Sequence, residues 1–208
     1  MSPSGLSPGD KFRLVFVTSG TIDALSSDIN VYDRFVSDSA ASAGLSRING
    51  IDVKWSVIGS TASVYAKTRF SITDAKIFRI DGQKVSDNLT ALWASNLYLP
   101  ININEQGNTR NVRVYTGTSN SMLIVSNSVL GAISPPHTII GFSGASDSFW
   151  IEESRWSQQT TKHSIYAISQ ELTFQTTAVP EPTSAIQAAL LFLAFITKSA
   201  KRRKSIND

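Results

Sequence analysis

The stretch Lys11–Gly44, KFRLVFVTSGTIDALSSDINVYDRFVSDSAASAG, sets the fold class. Its first part, Lys11–Thr18, alternates and is rich in β-branched and aromatic residues, which predicts a strand. Gly20–Ser27 reads as a turn. Ser27 or Asp28 then caps a helix, because a short polar side chain accepts from the free amides of a first turn. Ile29, Tyr32, Phe35, Val36, Ala40 and Ala43 recur at helical spacing, and Gly44 follows as a stop. One face of that helix should pack on a sheet.

Before this stretch, residues 1–10 (MSPSGLSPGD) read as a disordered lead-in. They lack the basic and apolar regions of a secretory signal, so the expectation is a signal peptide encoded upstream. After it, Val53–Ser60 and Lys76–Ile80 are predicted strands, and Asp81-Gly82 is a turn signal. Leu89–Leu97 reads as a short helix. Val112–Thr116 reads as a strand, with a loop at Gly117–Ser121. Residues 126–148 are rich in Ser, Gly, Pro and Asn and read mostly as loop. Phe149–Ile151 returns to the core, and Ser164–Phe174 is the last strand. Helices and strands do not alternate, and no repeat is visible. The expected class is α+β: an early helix on a mixed or antiparallel sheet, with a loop-rich second half. The globular domain is placed at residues 11–175.

The chain has 208 residues, 41 % apolar and 17 % charged, which suits one packed domain with a tail rather than a disordered chain. It has no cysteine, which excludes a disulfide scaffold, a cysteine nucleophile and a thiolate metal site. The net charge is +3, but five of the 19 basic residues fall in the last eleven: Lys198, Lys201, Arg202, Arg203 and Lys204. Residues 1–178 are formally neutral and carry no nucleic-acid footprint.

Those cations end a three-part tail. Residues 176–183 form a linker, 184–198 a single membrane helix and 199–208 a basic cytoplasmic end. Two prolines keep the linker extended and accessible. Ser184–Thr197 holds 14 residues without a charge. As a helix it spans roughly 21 Å against a bilayer core of about 30 Å, and snorkelling by Lys198 and Lys201 closes part of the gap. Retention of the cations on the cytoplasmic side puts the domain on the other side. A terminal helix of the domain and a nuclear-localisation run are the other readings of these residues.

Pro180-Glu181-Pro182, the apolar segment and the basic run together resemble the PEP-CTERM sorting signal of bacterial exported proteins. The resemblance implies an exosortase as partner, membrane insertion through 184–198, and delivery to the cell envelope, surface or extracellular matrix. Gly9–Ser19, Ser27-Asp28-Ile29, Trp55–Ala62, Tyr115–Thr118 and Tyr166–Ser169 resemble a domain recurrent in such proteins, which carries no established activity. The order of Lys76–Gly82, Trp93 and Val114–Thr118 also resembles the endostatin-like branch of the C-type lectin-like fold. The sugar-binding triplets of calcium-dependent lectins are absent, so that resemblance implies no calcium-dependent binding.

The search for chemistry yields little, and no cofactor is implied. His137 and His163 form no spaced metal motif. Gly141-Phe142-Ser143-Gly144 falls one residue short of a nucleophile elbow. Glu152-Glu153 offers two carboxylates, but adjacent strand residues point to opposite faces. Asn102–Gly107 lacks the ligands of a calcium loop and reads as a turn. Among the tryptophans, Trp55 and Trp93 are expected in the core. Trp150 and Trp156 lie among polar residues, and Trp156 is the candidate ligand platform. The expected function is a non-enzymatic envelope or matrix protein that binds exopolysaccharide or a surface protein. The rivals are a polysaccharide hydrolase and an unprocessed tail-anchored protein.

Overall fold

A computed structural model of the chain describes residues 3–120, 127–134, 136–153 and 155–175. Contacts divide the chain into two units, Met1–Phe174 and Gln175–Asp208. The linker, membrane helix and basic end expected from the sequence lie outside the described residues. Among the described residues no helix is long and apolar enough to cross a membrane.

The first unit is α+β and dominated by sheet. Strand β1 (Lys11–Val17) leads to helix α1 (Ile29–Ser42). Then come β2 (Arg47–Ile48), β3 (Ile51–Asp52), β4 (Trp55–Val57), the short helix α2 (Ala66–Arg69), β5 (Lys76–Arg79), β6 (Lys84–Ser86) and α3 (Leu89–Trp93). The second half adds β7 (Arg113–Tyr115), β8 (His137–Phe142), a 3-10 turn (Ser148–Trp150), β9 (Arg155–Gln158), β10 (Ser164–Ser169) and β11 (Leu172–Thr173).

Nine strands form one mixed sheet among the described residues, in the order β6-β5-β1-β10-β7-β8-β9, with β11 on β1 and β4 on β10. β1 pairs parallel with β5 and antiparallel with β10 and β11. Every β1 residue after Lys11 is buried, so burial does not alternate along it. The cause is cover on both faces. Phe12, Leu14 and Phe16 join one cluster with Tyr32, Val36 and Ala40 of α1. Val15 and Val17 join another with Leu89, Leu92 and Trp93 of α3 and with Trp150.

The α1 helix begins where Asp28 accepts from the Asn30 amide at 3.0 Å. Ile29, Tyr32, Val36 and Ala40 make its buried stripe, each larger one contributing about 1.5–3 kcal/mol on leaving water. Phe35 and Ala43 pack at its margin. Gly44, at φ +75, ends it in the left-handed region that glycine enters without a steric cost. Asn49-Gly50, both at positive φ, close the β2–β3 hairpin.

One expectation is incomplete and another needs correction. The described residues of 126–148 are mostly loop, but they also hold β8 (His137–Phe142). It sits between β7 and β9, and Thr138–Gly141 are all buried. Ser164–Phe174 is not one strand. Val15 faces Ile168 and Phe12 faces Leu172, so three steps along β1 match four along the returning chain. The extra residue is a bulge at Gln170–Glu171. Ser169 sustains it: its Oγ accepts from the Leu14 amide at 2.9 Å and donates to the Gln170 carbonyl at 2.7 Å.

Beyond the bulge the chain returns to its starting point. The Gly9 amide donates to the Phe174 carbonyl at 2.9 Å, and the Phe174 amide donates to the Asp10 carbonyl at 2.8 Å.

Candidate ligand cleft

The bulge opens a cleft of about 570 Å³ beside β1. Its floor is Arg13, which shares the strand parity of Val15 and Val17 and is 5 % exposed. One wall is the bulge itself, Gln170 and Glu171, with Ser169 before it. The other comes from Lys54 and Ser56 at β4 and from Arg69–Ser71 and Thr73 after α2.

Gln170 holds the β4 side in place. Its Oε1 accepts from the Lys54 amide at 2.5 Å, and its Nε2 donates to the Asp52 carbonyl at 2.9 Å. The Gln170 amide adds a bond to the Lys54 carbonyl at 2.9 Å. Arg69 donates to the Val57 carbonyl at 2.9 Å and to Asp33 Oδ2 at 2.5 Å. Glu171 accepts from Thr73 Oγ1 at 2.6 Å and lies 3.7 Å from Lys11 Nζ.

Arg13 is less well provided. It donates from Nη1 to the Ser169 carbonyl at 3.1 Å and from Nη2 to the Ser71 carbonyl at 3.4 Å. Its Nε is buried without a hydrogen-bond partner. Burial lowers its affinity for the proton, and the nearby Glu171 charge opposes that shift. A guanidinium starts so high on the pH scale that it stays cationic. Neither Arg13 nor Lys54 has a carboxylate within 4 Å among the described residues, whereas Arg69 and Glu171 both have partners. The cleft therefore carries excess positive charge, and apart from Phe70 its lining residues are polar or charged. Such a lining suits an anionic, hydroxyl-bearing group.

The residues singled out from the sequence lie elsewhere. Trp156 is 65 % exposed on β9, with β7 and β8 between it and β10. Trp150 is not at the surface: it is fully buried, with its ring 6.0 Å from that of Trp93. Trp55 is buried against Phe16. Glu152 and Glu153 are not on a strand but follow the 3-10 turn. Glu152 accepts from the Asn120 amide at 2.7 Å, while Glu153 meets Arg113 Nε at 3.0 Å.

His163 bonds Ser157 Oγ through Nε2 at 2.9 Å, and His137 opens β8. Among the described residues no His, Asp and Glu side chains group as a metal site would require. In Asn102–Gly107, Asn104 Oδ1 accepts from the Gln106 and Asn108 amides, and Glu105 is bonded to Ser19. Ser143 Oγ accepts from the Val112 amide and donates to the Arg110 carbonyl. The sorting residues Pro180, Glu181 and Pro182 and the five terminal cations lie outside the described residues.

Sequence reasoning missed the cleft. One signal was present: Arg13 is a charge inside an otherwise apolar strand run, on the same face as Val15 and Val17. No protein-family model matches the chain, and no curated protein matches it either.

Proposed function

We propose that this is an exported cell-envelope or extracellular-matrix protein, delivered to an exosortase by its tail, with a domain that binds extracellular polymer without transforming it. The tail carries the reading: Pro180-Glu181-Pro182, then the uncharged Ser184–Thr197, then Lys198, Lys201, Arg202, Arg203 and Lys204, in that order. Prolines disfavour helix in the residues before them, and cations after an uncharged stretch are retained on the cytoplasmic side, which suits processing at a membrane as the resemblance to the sorting signal implies.

The Arg13 cleft supports the binding role, since it offers charge and polar contacts. The separate partners of Glu152 and Glu153 favour binding over hydrolysis, because paired carboxylates must share one substrate. The order α1, β4 with Trp55, the Asp81-Gly82 turn and α3 with Trp93 supports a C-type lectin-like arrangement of the endostatin branch.

Fractionation of the native host with intact mass of the recovered protein tests the proposal. The expected product is a surface or medium form ending near Pro180–Pro182. A full-length cytosolic form would overturn export, and a full-length membrane form would overturn processing.

A further inference from the structure

Resting on the reading of the domain as a binding module, we propose that the Arg13 cleft selects a carboxylated glycan, seating one uronate carboxylate on Arg13 and Lys54. The charge balance of the cleft carries the argument. Arg69 is paired with Asp33 at 2.5 Å, whereas Glu171 lies 3.7 Å from Lys11 and also acts on Arg13 at longer range. Arg13 and Lys54 remain without a carboxylate within 4 Å among the described residues. Lys54 is exposed and can turn to a ligand, whereas Arg13 is fixed on the floor.

Arg13 is hydrogen-bonded only to neutral carbonyls, and the Glu171 charge acts on it from beyond 4 Å, so this buried cation is only partly compensated and an incoming anion is favoured there. The bond from Arg13 Nη2 to Ser71 lies at 3.4 Å, beyond the usual range, and is readily exchanged. The planar guanidinium fork matches a carboxylate in shape.

The rest of the lining defines what bears that carboxylate. Apart from Phe70, every lining side chain is polar or charged, which suits a hydroxylated ring rather than a peptide with apolar side chains. Phe70 supplies the one aromatic ring for an apolar sugar face. Glu171 on the rim accepts from hydroxyls and repels a densely charged polyanion. The volume of about 570 Å³ exceeds what a lone inorganic anion fills and falls within the range of small-ligand sites.

The test is calorimetry on the full chain in detergent micelles with three probes: a galacturonate hexamer, a neutral glucose hexamer and tripolyphosphate. The expected result is one saturable site for the galacturonate hexamer, weakening as salt is raised. Lys54→Glu should lower that affinity about tenfold, the scale of one charge-assisted bond, with an unchanged melting temperature because Lys54 is exposed. Arg13→Met should abolish binding, but it alters a buried position, so Lys54→Glu decides.

Unchanged galacturonate affinity in Lys54→Glu would overturn the assignment to this cleft. Equal binding of the glucose hexamer would overturn charge selection and leave the binding-module reading standing. Binding of tripolyphosphate alone would overturn the glycan. Failure of all three probes would overturn both this inference and the polymer-binding role.

Discussion

Arg69 donates to Asp33 Oδ2 at 2.5 Å, and that bond ties α1 to the wall of the cleft. The other oxygen, Oδ1, accepts from the Val57 amide at 2.8 Å, so one carboxylate joins three elements. Both side chains are mostly buried, at 14 % and 22 % exposure. Asp33→Asn keeps an acceptor but leaves Arg69 without its counter-charge. The expected cost is about 2 kcal/mol, or a melting temperature lower by roughly 4–8 °C. A melt unchanged by the substitution would show that the pair contributes nothing.

Gly141 lies in β8 where the backbone of Trp150 crosses. A Cβ placed there would stand 2.1 Å from the Trp150 carbonyl oxygen, and no side-chain rotation relieves that contact. Gly141→Ala should cost about 3 kcal/mol or more. Gly20→Ala is the control, because its Cβ would touch only the tip of the Phe35 ring at 3.3 Å. Urea denaturation of the two variants should separate them clearly, and similar midpoints would contradict the close crossing.

His163 is held below its ordinary value of 6.5, first by burial and then by the Arg113 charge. Its folded form therefore binds a proton more weakly than the unfolded chain does. Its contribution to stability is complete above about pH 6.5 and is lost as the pH falls through the folded value. Stability measured by denaturant between pH 7 and 5 should decline, and His163→Gln should flatten that decline. An unaltered slope in the variant would assign the pH dependence to other groups.

Three of the four tryptophans are buried, and Trp156 is the exposed one. Trp156→Ala should change stability by no more than about 0.5 kcal/mol, as expected for an isolated surface side chain. With the ligand seated in the Arg13 cleft, galacturonate affinity should also be unchanged. Loss of affinity in this variant would move the binding surface to the β9 edge.

Local signals made part of this fold legible. β1, α1 with its Asp28 cap, the Asp81-Gly82 turn and the buried Leu92 and Trp93 all follow from patterns within a few residues. The Asn49-Gly50 dipeptide of the β2–β3 hairpin is an equally strong local signal. β8 was hidden because HTIIGF follows Pro135-Pro136 and contains Gly141. Those residues argue for loop, yet β7 and β9 hold the segment as a strand, and Trp150 requires the glycine. The break between β10 and β11 was also hidden, because it depends on the Ser169 hydroxyl reaching Leu14 across 155 residues of chain. The cleft depends on four separated segments meeting, which no local pattern records. Arg13 alone was visible as a charge at an apolar position.

The two-residue strand β11 has a mechanical consequence whenever the chain beyond it is pulled. Tension applied beyond Phe174 reaches β11 first, and with few bonds to share the load they open in succession, as in a zipper. The bulge at Gln170–Glu171 interrupts that peeling before it reaches β10. Those same two residues line the cleft, so such a pull deforms the cleft before it reaches the core.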